Sequence, residues 1–146
     1  MHPLIRHKNA DQDLLNIVQQ FKRATGHKRK RLKGALGRIA FILEAMETDE
    51  DMQKRLLKHS NDECGGVNFK KWLAQHKLGN DLWRVKLWSG PELVGYRIIY
   101  AYEKTDQNHN QSRFHVLAIV DRNDFNYEDE HQNLISARII NDYSNM

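Results

Sequence analysis

Three stretches decide the fold: LWRVKLW (residues 82–88), GYRIIYAY (residues 95–102) and RFHVLAIV (residues 113–120), followed by the polar run DRNDFNY (residues 121–127). Each of the three is rich in β-branched and aromatic residues and bounded by polar or Gly-containing segments, which predicts three antiparallel strands. A strand turns successive side chains to opposite faces, and an antiparallel sheet commonly buries one face more deeply than the other. The first stretch then puts Trp83, Val85 and Leu87 on one side and Arg84 and Lys86 on the other. The second sets Tyr96, Ile98, Tyr100 and Tyr102 against Arg97, Ile99 and Ala101. The third carries His115, and the tail carries Arg122 and Tyr127. A half-buried Arg needs an anion, supplied either by a carboxylate of the same chain or by a ligand. Several cations on neighbouring strands without interleaved acids favour an external polyanion such as nucleic acid.

Outward from the sheet, residues 11–24 place Leu14, Ile17, Val18 and Phe21 in a helical stripe that ends at Thr25-Gly26. Residues 28–47 repeat the pattern with Leu32, Leu36, Ile39, Leu43 and Met46, and Gly34 and Gly37 suggest close helix packing. A helical hairpin is predicted. Thr48 before Asp49, Glu50 and Asp51 reads as the cap of a third helix running to about His59. Residues 60–66 are turn-rich and mark the passage from helices to sheet. Residues 69–73 fit a strand or a helical turn equally. The loops at residues 89–94 and 104–112 separate the strands, and the acidic segment after Tyr127 predicts a closing helix. The chain therefore reads as one α+β domain, with a helical part at residues 1–60, an antiparallel sheet of about 3–5 strands within residues 67–127, and a C-terminal helix within residues 128–146.

The net charge of +4 is unevenly spread. Residues 1–40 sum to +8, residues 41–120 to zero and residues 121–146 to −4. The run Lys28, Arg29, Lys30, Arg31 and Lys33 reads either as the wet side of an amphipathic helix or as an RNA-binding patch whose cations neutralise phosphates without reading bases. One cysteine, Cys64, excludes an internal disulfide framework. No apolar stretch approaches transmembrane length, so a cytoplasmic protein without membrane contact is expected. The eight histidines are scattered without paired ligand spacing, and Gly65-Gly66 lacks the Lys-Ser/Thr of a phosphate loop, so neither metal nor cofactor is expected.

LWRVKL, GYRIIY and AIVDRNDFNY together resemble the RelE/ParE superfamily of bacterial toxins from toxin–antitoxin pairs. The likeness covers residues 78–127 at motif level and extends loosely to the helical hairpin. It implies a twisted antiparallel sheet packed on helices, and a metal-independent endoribonuclease that cuts messenger RNA, on the ribosome in RelE-like members, and is silenced by a cognate antitoxin. The positions that match are Arg84, Lys86, Arg97, Arg122 and Tyr127. In the implied chemistry the ribose 2′-OH attacks the adjacent phosphate. Arg97 and Arg122 act as transition-state clamps, and Lys86 as general base or a further clamp. Tyr127 stacks on a base or donates a proton. His115 suits acid–base work by its ordinary pKa, or is a structural histidine. Two other functions remain open: a ParE-like toxin acting on DNA gyrase, and a non-catalytic RNA- or ribosome-binding relative.

Overall fold

The helical hairpin starts earlier than its stripe predicts. In the computed structural model, which describes residues 1–60, 67–87, 95–104, 112–122 and 134–146, helix α1 spans Lys8–Arg23 and α2 spans Gly26–Thr48. The His7 ring caps α1, its Nδ1 accepting from Asn9 N–H at 3.2 Å. Gly26, with φ +59°, makes the turn between the helices, a conformation most residues avoid. Helix α3, Glu50–Arg55, is capped by Asp49 rather than Thr48: the Asp49 carboxylate accepts from Met52 N–H at 3.1 Å, while the Thr48 hydroxyl donates back to Glu44 O. Gly34 and Gly37 play no packing role, since a methyl group at either would meet nothing within 4 Å. The stripe itself behaves as read, with Leu32, Ile39, Leu43 and Met46 buried.

The sheet is wider than the three strong strands. Its order is β1-β5-β4-β3-β2, with β1 Leu4–Arg6, β2 Val67–Lys71, β3 Leu82–Leu87, β4 Tyr96–Glu103 and β5 Arg113–Asp121. Residues 69–73 thus divide, the first three ending β2 and Leu73 opening the short helix α4, Leu73–Lys77. Strands β2 to β5 pair antiparallel, but β1 runs parallel to β5, which makes the sheet mixed. The closing helix α5 is Leu134–Ser144. Among the described residues, no helix is long and apolar enough to cross a membrane.

Strand alternation assigns the two faces. Val67, Phe69, Trp83, Val85, Tyr96, Ile98 and Tyr100 join Ile17, Leu32 and Ile39 in the core beneath α1 and α2. The opposite face carries a smaller core of Trp72, Leu82, Ile99, Ala101, Leu117, Ala118 and Val120, covered by Ile139 of α5. An irregularity in β5 makes this second core possible: Ile99 pairs with Ala118 but Tyr100 with Val116, so Leu117 and Ala118 both turn to the α5 side. Just past it, beyond the end of β1, the Asp13 carboxylate accepts from Ile119 N–H at 3.0 Å and from both terminal nitrogens of Arg138 at 2.8 Å. That hydrogen bond, outweighing burial, raises the Arg138 pKa. Asn9 adds a second tie, donating to the buried Asp142 at 2.8 Å. Helix α5 is therefore bound to α1 and β5 by polar contacts as well as by its apolar face.

Candidate functional site

The register of the strands gathers the cations. On the α5 side of the sheet, Lys86 stands opposite Arg97 and Asn68, and Arg84 stands opposite Lys70 and Ile99. Directly opposed residues have Cβ atoms about 5 Å apart, so Lys70, Arg84, Lys86 and Arg97 form one cluster two rows deep. Arg122 follows β5 two residues after Val120, the residue paired with Arg97, and its N–H donates to Gly95 O at 2.6 Å. Period-two alternation puts it on the same side, at the outer margin of the cluster. Asn68, Ile99, Ala118 and Val120, the other described strand positions in these rows, are uncharged.

Exposure grades the cluster. Arg97 is fully buried and Arg84 is 8% exposed, whereas Lys70 and Lys86 are half-buried and Arg122 is exposed. The Arg97 Nη1 donates to Tyr96 O at 2.9 Å. Burial and then the charges of Arg97, Arg84, Arg122 and Lys70 lower the Lys86 pKa below that of an ordinary lysine. A larger fraction of Lys86 is consequently neutral amine near physiological pH, which is what a proton acceptor needs.

Two members of this neighbourhood escape the sequence reading. Lys70 is legible only once residues 67–71 are known to be a strand in register with β3. His59 gives no local signal at all. It comes near because residues 58–60 lie along the outer edge of β2, where Ser60 N–H donates to Phe69 O at 2.9 Å and Asn68 Nδ2 donates to Ser60 O at 2.7 Å. The His59 Nδ1 accepts from Lys71 N–H at 3.0 Å, which leaves Nε2 to carry the proton in the neutral ring. Burial, followed by the charges of Lys70, Lys71, Arg84 and His76, lowers its pKa.

The remaining expected site residues lie elsewhere. His115 pairs with Ala101, four residues along β4 from Arg97 and so about 13 Å away. Its Nε2 is 2.6 Å from the Glu103 carboxylate, which Arg113 also approaches at 3.5 Å. That geometry is a local ion-pair network, and His115 stands apart from the cationic cluster. Tyr127 lies outside the described residues. The run Lys28, Arg29, Lys30, Arg31 and Lys33 is exposed at the start of α2, in the helical layer on the opposite side of the sheet, so it does not extend the cluster. A cleft of about 130 Å³ between α1 and the end of β5 is lined by Asp13, Asn16, Gln20, Val120 and Asp121 among others, and adjoins the Arg122 end of the cluster in sequence. Among the described residues, no three His, Cys, Asp or Glu side chains gather as metal ligands.

The cluster is suited to holding and activating a phosphodiester: the exposed Arg122 at the margin, buried positive charge behind, and the half-buried Lys86, its pKa lowered, between them. No protein-family model, curated protein or solved structure matches the chain.

Proposed function

We propose that this chain is the toxin of a toxin–antitoxin pair, a cytoplasmic endoribonuclease that cleaves messenger RNA, on the ribosome, without a metal. The observation that carries the reading is the convergence of Arg84, Lys86, Arg97 and Arg122 on one face, with the Lys86 pKa lowered by burial and then by its cationic neighbours. The neutral Lys86 amine takes the proton of a ribose 2′-OH. The 2′ oxygen bonds to the adjacent phosphorus and the P–O5′ bond breaks, giving a 2′,3′-cyclic phosphate and a 5′-hydroxyl once an acid protonates the leaving oxygen. Family resemblance gives that last part to Tyr127. Arg122 and Lys70, being accessible, contact the phosphate oxygens directly. Arg97 differs from the expected clamp: with no exposed surface, it acts from behind through its charge, depressing the Lys86 pKa and favouring the dianionic transition state. The antitoxin is expected to cover this face with acidic side chains.

The complete burial of Arg97 favours a second reading, a non-catalytic RNA- or ribosome-binding relative, because a guanidinium without exposed surface does not touch a phosphate. The test is inducible expression of the wild type and of a Lys86→Gln/Arg122→Ala pair in a bacterial host, with 5′ ends of messenger RNA mapped within minutes. New ends that fall by about 10²-fold or more in the pair support cleavage. Growth arrest with intact RNA points to a gyrase-type target, and binding without arrest or new ends to the non-catalytic relative.

A further inference from the structure

The tip of the helical hairpin carries a second concentration of charge. Between Asp13 and Glu44 the sequence contains no acid, and Lys22, Arg23, Lys28, Arg29, Lys30, Arg31 and Lys33 fall within twelve residues of one another. All seven are exposed. None takes part in an ion pair among the described residues. Lys22 and Arg23 end α1, where the helix dipole welcomes cations, but Lys28 and Arg29 lie in the first turn of α2, where it repels them, and Lys30, Arg31 and Lys33 follow directly. Thr25 makes no side-chain cap and the first turn of α2 holds no acid, although Arg29 reaches back to Phe21 O in the last turn of α1. Seven like charges gathered in one place without a neighbouring acid in the sequence mark a surface kept for a purpose other than stability.

We infer that the α1–α2 tip is a docking surface for the sugar–phosphate backbone of double-stranded RNA, separate from the cationic cluster on the sheet. Several observations select this occupant. The cations project from two adjoining helix ends, the geometry that neutralises several phosphates without reading bases. Stacking surface for unpaired bases is scant: Phe21 lies under the Arg29 guanidinium at 4.2 Å, and Arg29 Nη1 also donates to Phe21 O at 3.0 Å, which leaves the exposed His27 imidazole as the other ring at the tip. A membrane surface fits poorly, since Leu32, Ala35 and Ile39, the apolar residues of this part of α2, are buried against the sheet. The choice of RNA over DNA rests on the ribonuclease reading. Docking of structured RNA on one layer would present a flexible strand to the cluster on the other.

The test measures binding instead of cleavage, so that it can fail independently of that reading. A blunt 20-base-pair RNA duplex is titrated by fluorescence anisotropy with the full chain, with the tip variant Lys28→Gln/Lys30→Gln/Arg31→Gln/Lys33→Gln, and with the sheet variant Lys86→Gln/Arg122→Ala. Arg29 is kept because it packs on Phe21. The tip variant is expected to bind more than about 30-fold more weakly at 0.1 M salt, with the slope of log affinity against log salt reduced by about three to four, near 0.9 per lost phosphate contact. The sheet variant should lose clearly less affinity than the tip variant, with its salt slope changed by at most about one to two. Relief of like-charge repulsion predicts that the tip variant melts at or above the wild-type temperature, so a loss of binding in a folded protein is interpretable; a single Arg31→Glu, losing at least tenfold, serves as the independent check. Equal binding by the tip variant, a loss that falls on the sheet variant instead, tighter binding to the matching DNA duplex, or equal retention on anionic phosphatidylserine vesicles would each overturn the inference.

Discussion

Lys86→Gln is expected to stabilise the protein while removing its proposed base. Lys86 and Arg97 are directly opposed; with about 6 Å between the charges and a water-like dielectric near 80, their repulsion is about 0.7 kcal/mol. Arg84, two residues along the same strand and about 7 Å away, adds about 0.6 kcal/mol. Arg122 and Lys70 add less, and salt reduces every contribution, which leaves a gain of about 1 kcal/mol at 50 mM salt. Urea titrations by linear extrapolation would measure it at 50 mM and 1 M NaCl, where the gain should fall to half or less. The pH dependence has a definite sign. Because the folded-state pKa of Lys86 is lowered, the unfolded chain binds more protons between that value and the ordinary lysine pKa, and wild-type stability rises with pH across this window. The advantage of the variant is therefore full below the folded pKa and disappears above the ordinary one. Destabilisation at low salt, or an equal gain at both salt concentrations, would refute a cluster under mutual repulsion.

Other substitutions probe the frame around the site. Asp13→Ala removes three hydrogen bonds linking α1, β5 and α5 and should cost about 2–3 kcal/mol in chemical denaturation. Tyr100→Phe leaves the Leu56 carbonyl, which accepts from the buried Tyr100 hydroxyl, without that donor, costing about 1–2 kcal/mol; in the wild type, burial raises the Tyr100 pKa well above the ordinary value, so no phenolate absorbance from it should appear below strongly alkaline pH. Two glycines should respond with opposite signs in thermal melts. Gly79, at φ +85°, loses about 1 kcal/mol on replacement by Ala, whereas Gly34, exposed within α2 and with open space around it, gains about 0.5–1 kcal/mol.

What the sequence reveals follows the strength of its periodicity. The stripes of α1 and α2 and the alternation in β3, β4 and β5 put Trp83, Val85, Ile98 and Tyr100 on one face and Arg84, Lys86 and Arg97 on the other, as the structure does. Strand β1 escapes because Leu4–Arg6 is too short to show a period and exists by pairing with residues more than 100 positions away. The irregularity in β5 is invisible because Leu117 and Ala118 are both apolar wherever they point. Lys70 and His59 depend on the register of β2 and on the chain running along its edge, which are tertiary facts. His115 shows the converse: a histidine among cationic strands looks catalytic until its distance along the strand and its Glu103 partner are known.

The placement of β1 and α1 against β5 sets the order in which the molecule can be completed during synthesis. Asp13 finds its partners 106 and 125 residues later, at Ile119 and Arg138. The first strand likewise waits for the fifth. Until β5 emerged, a ribosome-bound chain would carry a basic hairpin whose underside lacked Phe114, Val116 and Ile119, and contacts this distant in sequence are slow to form. Arg97 and Arg122, too, meet only after β4 and β5 have paired. A chain made only as far as β4 would therefore lack the assembled cluster.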